Sequence, residues 1–297
     1  MLDCLVIGAG PAGLTAAIYL KRLHRDIALI DAGASRAMRI PRTYNYPGFP
    51  HGVSGERLLE RMREQLGEAD GELTADEVTL LARHDDGHFS AQCSRGGEIR
   101  ARTVLLATGV VDGEPAVDGV DDLRQRGLLR QCPVCDAHEF RGRRMVVIGR
   151  GDHGARVARF LHRFSEHLRL MSGPGEGAAD ARLRVALQEA GVASEEATLQ
   201  RIECAAGGGV RLHREGHEPV EADVVYAALG TRPRARLAQQ LGATLDAMGN
   251  VVADAQCRSS VPGLWAAGDV VSALDQLAVA VGHGAIAATS MHNTLPS

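Results

Sequence analysis

Two cysteines separated by two residues are the first candidates for chemistry in this sequence. They lie in the segment Cys132-Pro-Val-Cys-Asp136. A Cys-x-x-Cys pair can close a short disulfide loop, and its thiolate character is tunable. The same spacing could supply half of a zinc site, which needs two more Cys or His ligands at matching spacing. The other cysteines stand alone in the sequence, at Cys4, Cys93, Cys204 and Cys257. We therefore predict a redox dithiol and no metal.

A glycine-rich turn follows the first apolar segment of the chain. Residues 2–7 form the apolar segment, Gly8, Gly10 and Gly13 follow it, and a helix rich in Ala and Leu comes next. Such glycines permit a tight turn, close approach of a pyrophosphate, and packing of helix on strand. A second strand ends in Asp31, 23 residues after Gly8, where a carboxylate can accept hydrogen bonds from a ribose. Strand, glycines, helix, strand and acid together predict a dinucleotide site.

The glycine pattern occurs a second time about 140 residues later. A strand near Met145 to Ile148 precedes a helix, and three glycines connect them: Gly149, Gly151 and Gly154. Two such units predict an α/β protein with two Rossmann-like nucleotide-binding domains. The stretch from Asp112 to Asp122, which contains Pro and Gly, is typical of a connection between domains.

Size and composition agree with a two-domain protein. The chain has 297 residues, of which 45% are hydrophobic and 24% charged, with a net charge of -4. No apolar run approaches the ~20 residues of a membrane span, and Arg residues are scattered, which argues against nucleic-acid binding. Six cysteines are too few for a disulfide scaffold, and no signal peptide precedes the first strand, so a cytoplasmic location is expected.

These segments, in this order, resemble the low-molecular-weight thioredoxin reductases, which are FAD-dependent disulfide oxidoreductases. The resemblance covers nearly the whole chain. It depends on both glycine turns and the Cys-x-x-Cys segment, together with the segments Asn45-Tyr-Pro-Gly48, Ala107-Thr-Gly109 and Ala267-Gly-Asp269.

The resemblance implies an FAD domain interrupted by a smaller NAD(P)H-binding-like domain that carries the dithiol. The boundaries would be 1–113 plus 223–297 for the FAD domain and 114–222 for the inserted domain. It also implies a homodimer. The implied FAD contacts are Gly8, Gly10, Gly13, Asp31, Asn45, Gly109, Gly268, Asp269 and Ala278. Gln276, which stands where the family has an Arg, is a further candidate contact.

The resemblance also assigns roles around the dithiol. It implies that Cys135 faces the flavin, that Cys132 exchanges with the substrate, and that Asp136 is the acid that protonates the leaving thiolate. A raised pKa would let Asp136 move protons near neutral pH. The alternative is a solvated loop aspartate. Related dithiol oxidases place a His after the second Cys, so Asp136 favours the reductase-like interpretation.

The second nucleotide unit departs from the family pattern. Ser172 occupies the position equivalent to Asp31, and Glu176 comes four residues later. NADPH-dependent relatives have a His-Arg-Arg run here that holds the 2′-phosphate. Because charge-assisted hydrogen bonds contribute roughly 1.5–3 kcal/mol each, losing two weakens NADPH binding by roughly two to four powers of ten. We expect inefficient use of NADPH, with reduced ferredoxin or a second flavin in the inserted domain as alternative donors.

Three functions are compatible with this sequence. The first is a thioredoxin reductase-like enzyme that passes electrons from FAD through Cys132 and Cys135 to a substrate disulfide, such as that of a thioredoxin-like protein. The second is a dithiol oxidase that takes electrons from a small dithiol and passes them through FAD to oxygen. The third is a flavin-binding redox sensor without efficient turnover.

Overall fold

The computed structural model of the protein describes residues 1–173, 179–271 and 274–296, so the predicted position Glu176 lies outside the described residues. The chain divides into two compact units. Unit 1 consists of Met1–Arg42, Tyr46–Val111 and Arg232–Ser297, and unit 2 consists of Thr43–Asn45 and Asp112–Thr231.

Both units contain strands and helices, and each unit also has runs of consecutive strands. The strands are β1 (Leu2–Ile7), β2 (Ile27–Asp31), β3 (Leu73–Ala75), β4 (Val78–Arg83), β5 (Phe89–Cys93), β6 (Glu98–Leu106), β7 (Val110–Asp112), β8 (Leu129–Arg130), β9 (Met145–Gly149), β10 (Leu168–Ser172), β11 (Ala193–Glu196), β12 (Leu199–Cys204), β13 (Val210–Arg214), β14 (His217–Ala222), β15 (Val224–Ala228), β16 (Thr231–Pro233) and β17 (Leu264–Ala266). The helices are α1 (Pro11–Arg22), α2 (Gly55–Gly67), α3 (Val120–Gln125), α4 (Pro133–Asp136), α5 (Gly151–His162), α6 (Ala181–Glu189), α7 (Arg236–Gln240) and α8 (Leu277–Thr294).

Unit 1 is built on a seven-stranded sheet in which β6 has a central place. The order is β3-β2-β1-β6-β5-β4, and β17 also pairs with β6. The last residues of β6 pair in parallel with β1 and β17, whereas its first residues pair antiparallel with β5. The carboxyl ends of β1, β6 and β17 therefore lie side by side at one edge of the sheet, which is where open α/β sheets bind ligands.

The burial of strand β1 shows that this sheet is covered on both faces. Its residues from Cys4 to Ile7 are all buried, without the alternation of a strand that faces water. Cys4 and Val6 pack into one hydrophobic cluster, whereas Leu5 and Ile7 pack into another on the opposite face. A strand covered on both faces is typical of a parallel sheet with helices above and below it.

Unit 2 contains a five-stranded sheet in the order β11-β10-β9-β15-β8, and every neighbouring pair is parallel. A separate antiparallel sheet is formed by β12, β13 and β14. Both units thus contain parallel strand pairs typical of Rossmann-like domains, in a mixed sheet in unit 1 and an all-parallel sheet in unit 2, which confirms the α/β fold class expected from the two glycine turns.

The last crossing of the chain from unit 2 to unit 1 comes later than residues 222–223, where the sequence predicts it. Strand β15 pairs with β9 on one side and β8 on the other, so it belongs inside the sheet of unit 2. The crossing falls between Thr231 and Arg232, within β16, which pairs with β7. The expected connection from Asp112 to Asp122 is also partly ordered, because α3 begins at Val120.

The long helix α8 packs against α1, and the close approach depends on small side chains. Ala280, Gly284, Ala287 and Ala288 are buried on α8. No helix in the described part of the chain has both the length and the apolar character needed to cross a membrane.

Candidate active site

The predicted dithiol forms a disulfide at the start of a single helical turn in unit 2. Cys132 precedes α4 as its N-cap, and Pro133 occupies the first helical position, where its missing N–H costs no hydrogen bond. The Cys135 amide donates to the Cys132 carbonyl at 3.0 Å, and the two Cα atoms are 5.4 Å apart. Val134, between the cysteines, is 55% exposed. The turn therefore presents the pair where a partner can approach.

Asp136 is the last residue of α4 and is only 6% exposed. Its Oδ1 accepts a hydrogen bond of 2.8 Å from the Tyr226 hydroxyl, and its Oδ2 lies 3.3 Å from an amino nitrogen of Arg130. Burial, which disfavours the charged carboxylate, raises the pKa of Asp136 to about 6, while Arg130 and Tyr226 limit that rise. This carboxyl group changes its protonation state near neutral pH and is not a solvated loop aspartate.

Parallel strand pairing brings the two partners of Asp136 together. Tyr226 of β15 lies opposite Arg130 of β8 in the register of the sheet. The Phe140 ring packs edge-on against the Tyr226 ring. The Arg130 guanidinium lies over the Phe140 ring, 5.3 Å from its centroid. The three side chains thus form a cluster that is aromatic on one side and cationic on the other.

The sequence alone did not reveal Arg130, Tyr226 or Phe140. Tyr226 is 90 residues from Asp136, and only the sheet order places β15 beside β8. The one available signal was weak. Tyr226 carries the only polar side chain in the otherwise apolar strand Val224–Ala228.

The first glycine turn is positioned in unit 1 at the carboxyl end of β1. Gly8 has a φ of +104°, and a Cβ there would lie 2.4 Å from the Ala107 carbonyl oxygen. A Cβ on Gly13 would lie 1.8 Å from the Gly8 carbonyl oxygen. For Gly10 the nearest described atom would be Ser35 Oγ, at 3.4 Å. Packing of the turn thus requires Gly8 and Gly13, whereas Gly10 leaves room in front of α1.

Asp31 lies beside this turn. Its Oδ1 accepts from the Ala9 amide at 2.8 Å, and its Oδ2 accepts from the Gly33 amide at 3.0 Å. These bonds fix the carboxylate next to the glycine turn, and each oxygen retains a lone pair for a further donor. The geometry fits a ribose-binding acid.

The other residues predicted to contact FAD in unit 1 follow the neighbouring strands. Gly109, with a φ of +68°, comes after β6, and Gly268, with a φ of +77°, comes after β17. A Cβ on Gly268 would be 3.0 Å from the Cβ of Ala12 in α1. Gln276 is the N-cap of α8, and Ala278 is an exposed residue of its first turn. These positions therefore belong to the edge at which β1, β6 and β17 end.

Asp269 has a partner that the sequence did not indicate. One amino nitrogen of Arg36 lies 2.9 Å from Asp269 and 3.0 Å from Asp275. Arg36 follows Ser35, the residue nearest to the Gly10 position. A guanidinium is thus held beside the glycine turn by two carboxylates.

Together, these features fit FAD, the dinucleotide implied by the resemblance. The space in front of Gly10 adjoins the amino end of α1, whose partial positive charge favours a pyrophosphate, and the first turn of α1 contains no acidic residue. Asp31 supplies a ribose acceptor, and Arg36 supplies a nearby positive charge.

Asn45, the remaining predicted FAD contact, is grouped with unit 2. Its side-chain oxygen accepts from the Thr43 hydroxyl at 2.7 Å, and its amide nitrogen donates to the Val134 carbonyl at 3.4 Å. In this structure Asn45 contacts the turn that carries the dithiol.

The second glycine turn keeps its backbone form in unit 2. A Cβ on Gly149 would lie 2.5 Å from the Gly154 Cα, so these two glycines let β9 and α5 pack closely. Gly151 has a φ of +41° and begins α5. The first turn of α5 contains Asp152, whose Oδ1 accepts from the Asp180 amide at 2.7 Å. An acid at this helix terminus distinguishes the second turn from the first.

The end of β10 offers a hydroxyl and paired charges. The Ser172 hydroxyl donates to the Glu195 carbonyl at 3.4 Å. Arg169, the basic residue of β10, lies 2.8 Å from the Glu195 carboxylate, which also binds Arg214 at 2.7 Å. The one arginine of this strand is therefore engaged by an acid on β11.

The disulfide, the buried acid and the dinucleotide-type turn define the class of the protein, a nucleotide-dependent disulfide oxidoreductase. A model of the pyridine nucleotide-disulphide oxidoreductase family matches residues 2–284, and the chain belongs to this family. It is a thioredoxin reductase-like, FAD-dependent disulfide oxidoreductase.

Known proteins are similar over nearly the full length. A thioredoxin reductase of Listeria innocua is 28% identical, with 96% of this chain and 91% of that protein covered. The solved structure of thioredoxin reductase from Streptococcus pyogenes MGAS5005 has a TM-score of 0.90 at 27% identity, covering 99% of this chain and 97% of that one. The solved structure of HlmI has a TM-score of 0.88 at 29% identity, covering 98% and 92%.

Proposed function

We propose that the protein exchanges electrons between FAD and a substrate disulfide through the Cys132–Cys135 pair, with Asp136 as the acid and base of the exchange. The observation that carries this proposal is the disulfide directly followed by a buried carboxyl group whose pKa is raised to about 6. A group with such a pKa can both give and take a proton near neutral pH.

The dithiol supplies the covalent chemistry. The Cys132 thiolate attacks one sulfur of the substrate disulfide, whose S–S bond breaks while a Cys132–substrate disulfide forms. Cys135 then attacks Cys132, releases the second substrate thiolate, and closes the Cys132–Cys135 disulfide. The substrate gains two electrons and two protons, and the cysteine pair loses them. Asp136 accepts the proton of each attacking cysteine thiol and passes it to the substrate thiolate that leaves, and it works in the opposite direction when the disulfide is reduced again.

Unit 1 is the proposed FAD site. FAD, when bound, supplies the two-electron store with which the dithiol exchanges electrons. Gly10 leaves room for the pyrophosphate, Asp31 accepts from the ribose, and Arg36 places a positive charge nearby. Each of these residues binds or orients the cofactor and takes no part in proton transfer.

A thioredoxin-like protein is the proposed substrate. Its support is the similarity to thioredoxin reductases over nearly the whole chain. The exposed Val134 between the two cysteines leaves the dithiol turn open to a protein surface. A small dithiol that donates electrons toward FAD and oxygen is the alternative.

NADPH is proposed to be a poor donor. Three observations in unit 2 support this: Ser172 replaces an acid or base at the ribose position, Arg169 is engaged by Glu195, and Asp152 brings negative charge to the amino end of α5. A 2′-phosphate at the end of β10 depends on charge-assisted hydrogen bonds, and the arginine of that strand is already paired with an acid. Ferredoxin and a second flavin are the alternative donors.

The proposal is tested with FAD-loaded protein reduced by dithionite without oxygen and then mixed with oxidised thioredoxin. We expect thioredoxin to restore the visible absorbance of the oxidised flavin in the wild type. Cys132→Ser should abolish this reoxidation and keep the FAD, and Cys135→Ser should accumulate a mixed disulfide through Cys132. Cys204→Ser changes a cysteine of the same unit outside the site and should behave as the wild type.

The other outcomes distinguish the alternatives. Reoxidation that survives in Cys132→Ser contradicts the dithiol assignment. A wild type that ignores thioredoxin but forms hydrogen peroxide from a small dithiol and oxygen is a dithiol oxidase. Failure of both reactions, with FAD bound and the disulfide reducible, indicates a redox sensor.

A further inference from the structure

We propose that Arg130 and Tyr226 are positioning residues of the dithiol reaction, which together orient the carboxyl group of Asp136 and determine when it carries a proton. This inference rests on the proposed function of the Cys132–Cys135 pair. It concerns residues that neither the motif nor its spacing indicates.

The two residues act on different oxygens of one carboxyl group. The Tyr226 hydroxyl donates to Oδ1 at 2.8 Å, and the Arg130 guanidinium faces Oδ2 at 3.3 Å. Burial raises the pKa of the Tyr226 hydroxyl well above its usual value, so Tyr226 stays protonated and remains a donor. With both oxygens engaged, the carboxyl group of Asp136 has a fixed orientation at the end of α4.

Burial of the Arg130 side chain costs free energy, so its position beside Asp136 needs an explanation. Arg130 has 15% of its side chain exposed, and its Nε has no hydrogen-bond partner among the described residues. A buried guanidinium with an unpaired nitrogen contributes little to stability, because the lost hydration is not fully replaced. Within the described residues, its guanidinium contacts the Asp136 carboxyl group and the Phe140 ring. The cation is therefore best explained by its effect on the acid.

The charged and titratable groups around Asp136 act in opposite directions. Burial raises the pKa of Asp136, Arg130 from β8 lowers it most, and Tyr226 from β15 lowers it further. Glu139, just after α4, raises it. The carboxyl group thus stays protonated at higher pH than a solvated aspartate, yet it ionises before alkaline pH is reached. Removing either positioning residue favours the protonated form and moves the titration to higher pH.

The direct test is the titration of Asp136 itself in FAD-loaded, oxidised protein. Carboxyl-carbon NMR of protein labelled with 13C-aspartate follows the resonance that Asp136→Asn removes. We expect a midpoint of about 6 in the wild type. Tyr226→Phe removes one hydrogen bond to a charged group and should raise the midpoint by about one pH unit or more.

Substitutions of Arg130 should shift the titration midpoint of Asp136 by amounts that depend on whether the charge is kept. Arg130→Met should raise the midpoint more than Tyr226→Phe does, because the cation is the larger of the two lowering influences. Arg130→Lys keeps the charge and should restore a midpoint near that of the wild type. Arg126→Met removes an arginine that is 62% exposed and pairs with Asp122, and it should change nothing. If Arg130→Met does not fold, the shift of the Asp136 midpoint in Tyr226→Phe decides the test.

The kinetic test follows flavin bleaching by dithiothreitol without oxygen across the pH range. Dividing each rate by that of Asp136→Asn at the same pH cancels the titration of dithiothreitol. We expect the wild type to be about 100-fold faster than Asp136→Asn below pH 6, in the range of a general acid. This advantage should fall above pH 6, and Tyr226→Phe should shift that fall upward with the NMR midpoint.

Each failure has a separate meaning. An NMR midpoint unchanged in both Tyr226→Phe and Arg130→Met overturns the positioning role, and the proposed function stands if Asp136→Asn is still slow. Equal rates for Asp136→Asn and the wild type at every pH contradict the acid role of Asp136, and the inference falls with it. A midpoint that moves while the kinetic fall does not move also overturns the inference.

Discussion

Asp31 and Asp136 show how surroundings give the same side chain two kinds of role. Asp31 accepts from two backbone amides at 2.8 and 3.0 Å, which hold its carboxylate in one orientation beside the glycine turn. Asp136 is buried, with one hydroxyl and one guanidinium as partners, and ionises near neutral pH. The first arrangement suits the fixing of a ribose, and the second suits the transfer of a proton.

At the residue scale, Asp31→Ala should lower the affinity for FAD by about 10- to 100-fold. It removes a charged acceptor whose hydrogen bonds contribute about 1.5–3 kcal/mol each, and it frees the turn at Ala9. The measurement is the ratio of flavin to protein after gel filtration, followed by a fluorescence titration with FAD. Asp26→Ala changes an exposed aspartate just before the same strand and should retain FAD as the wild type does. Unchanged flavin content in Asp31→Ala would remove its ribose role.

A sequence motif groups candidate site residues most directly where they are neighbours in the chain. Cys132, Cys135 and Asp136 occur within five positions, so the motif identifies them together. Tyr226 and Arg130 become neighbours only because β15 pairs with β8. Arg36 likewise approaches Asp269 through folding across more than 230 residues. No local pattern contains such information.

At the element scale, α1 and α8 approach closely because Gly284 has no side chain. A Cβ at this position would lie 2.3 Å from the Ala12 carbonyl oxygen and 2.9 Å from the Thr15 Cβ. Ala12 is also the residue that Gly268 approaches after β17. The amino end of α1, where the pyrophosphate is proposed to bind, is therefore held in place by both β17 and α8.

Gly284→Ala should destabilise the protein by about 1–3 kcal/mol, because the added methyl group meets backbone that must move. The matched control is Gly282→Ala on the same helix, where no described atom lies within 4 Å of the added Cβ. It should be neutral or stabilising by up to ~1 kcal/mol, because Ala favours a helix over Gly. Urea denaturation of the two variants beside the wild type measures the difference. Equal loss of stability in both variants would contradict the packing argument.

Glycine turns were predictable as elements because their function requires a fixed spacing and a backbone that only glycine tolerates. Gly8 and Gly149 both occur where the sequence predicts a strand to end. Which nucleotide the second glycine turn binds is harder to predict from the sequence. The pairing of Arg169 with Glu195 depends on β10 lying beside β11, which the glycine spacing does not specify.

At the scale of the whole molecule, the sequence predicts two α/β units but not where one ends. The boundary that the sequence predicts after residue 222 falls after residue 231, because β15 belongs to the sheet of unit 2. An apolar strand followed by a glycine is equally compatible with either sheet. Only strand pairing decides to which unit it belongs.

At this scale, electrons should reach the flavin from a dithiol more readily than from NADPH. The most direct measurement is an anaerobic titration of the FAD-loaded protein with NADPH, then NADH, then dithiothreitol, following the visible absorbance of the flavin. We predict little bleaching at stoichiometric nicotinamide and full bleaching with the dithiol, since β10 ends in Ser172 and the Arg169 guanidinium is paired. Rapid bleaching by one equivalent of NADPH would contradict the account of unit 2 and make the protein an NADPH-driven disulfide reductase.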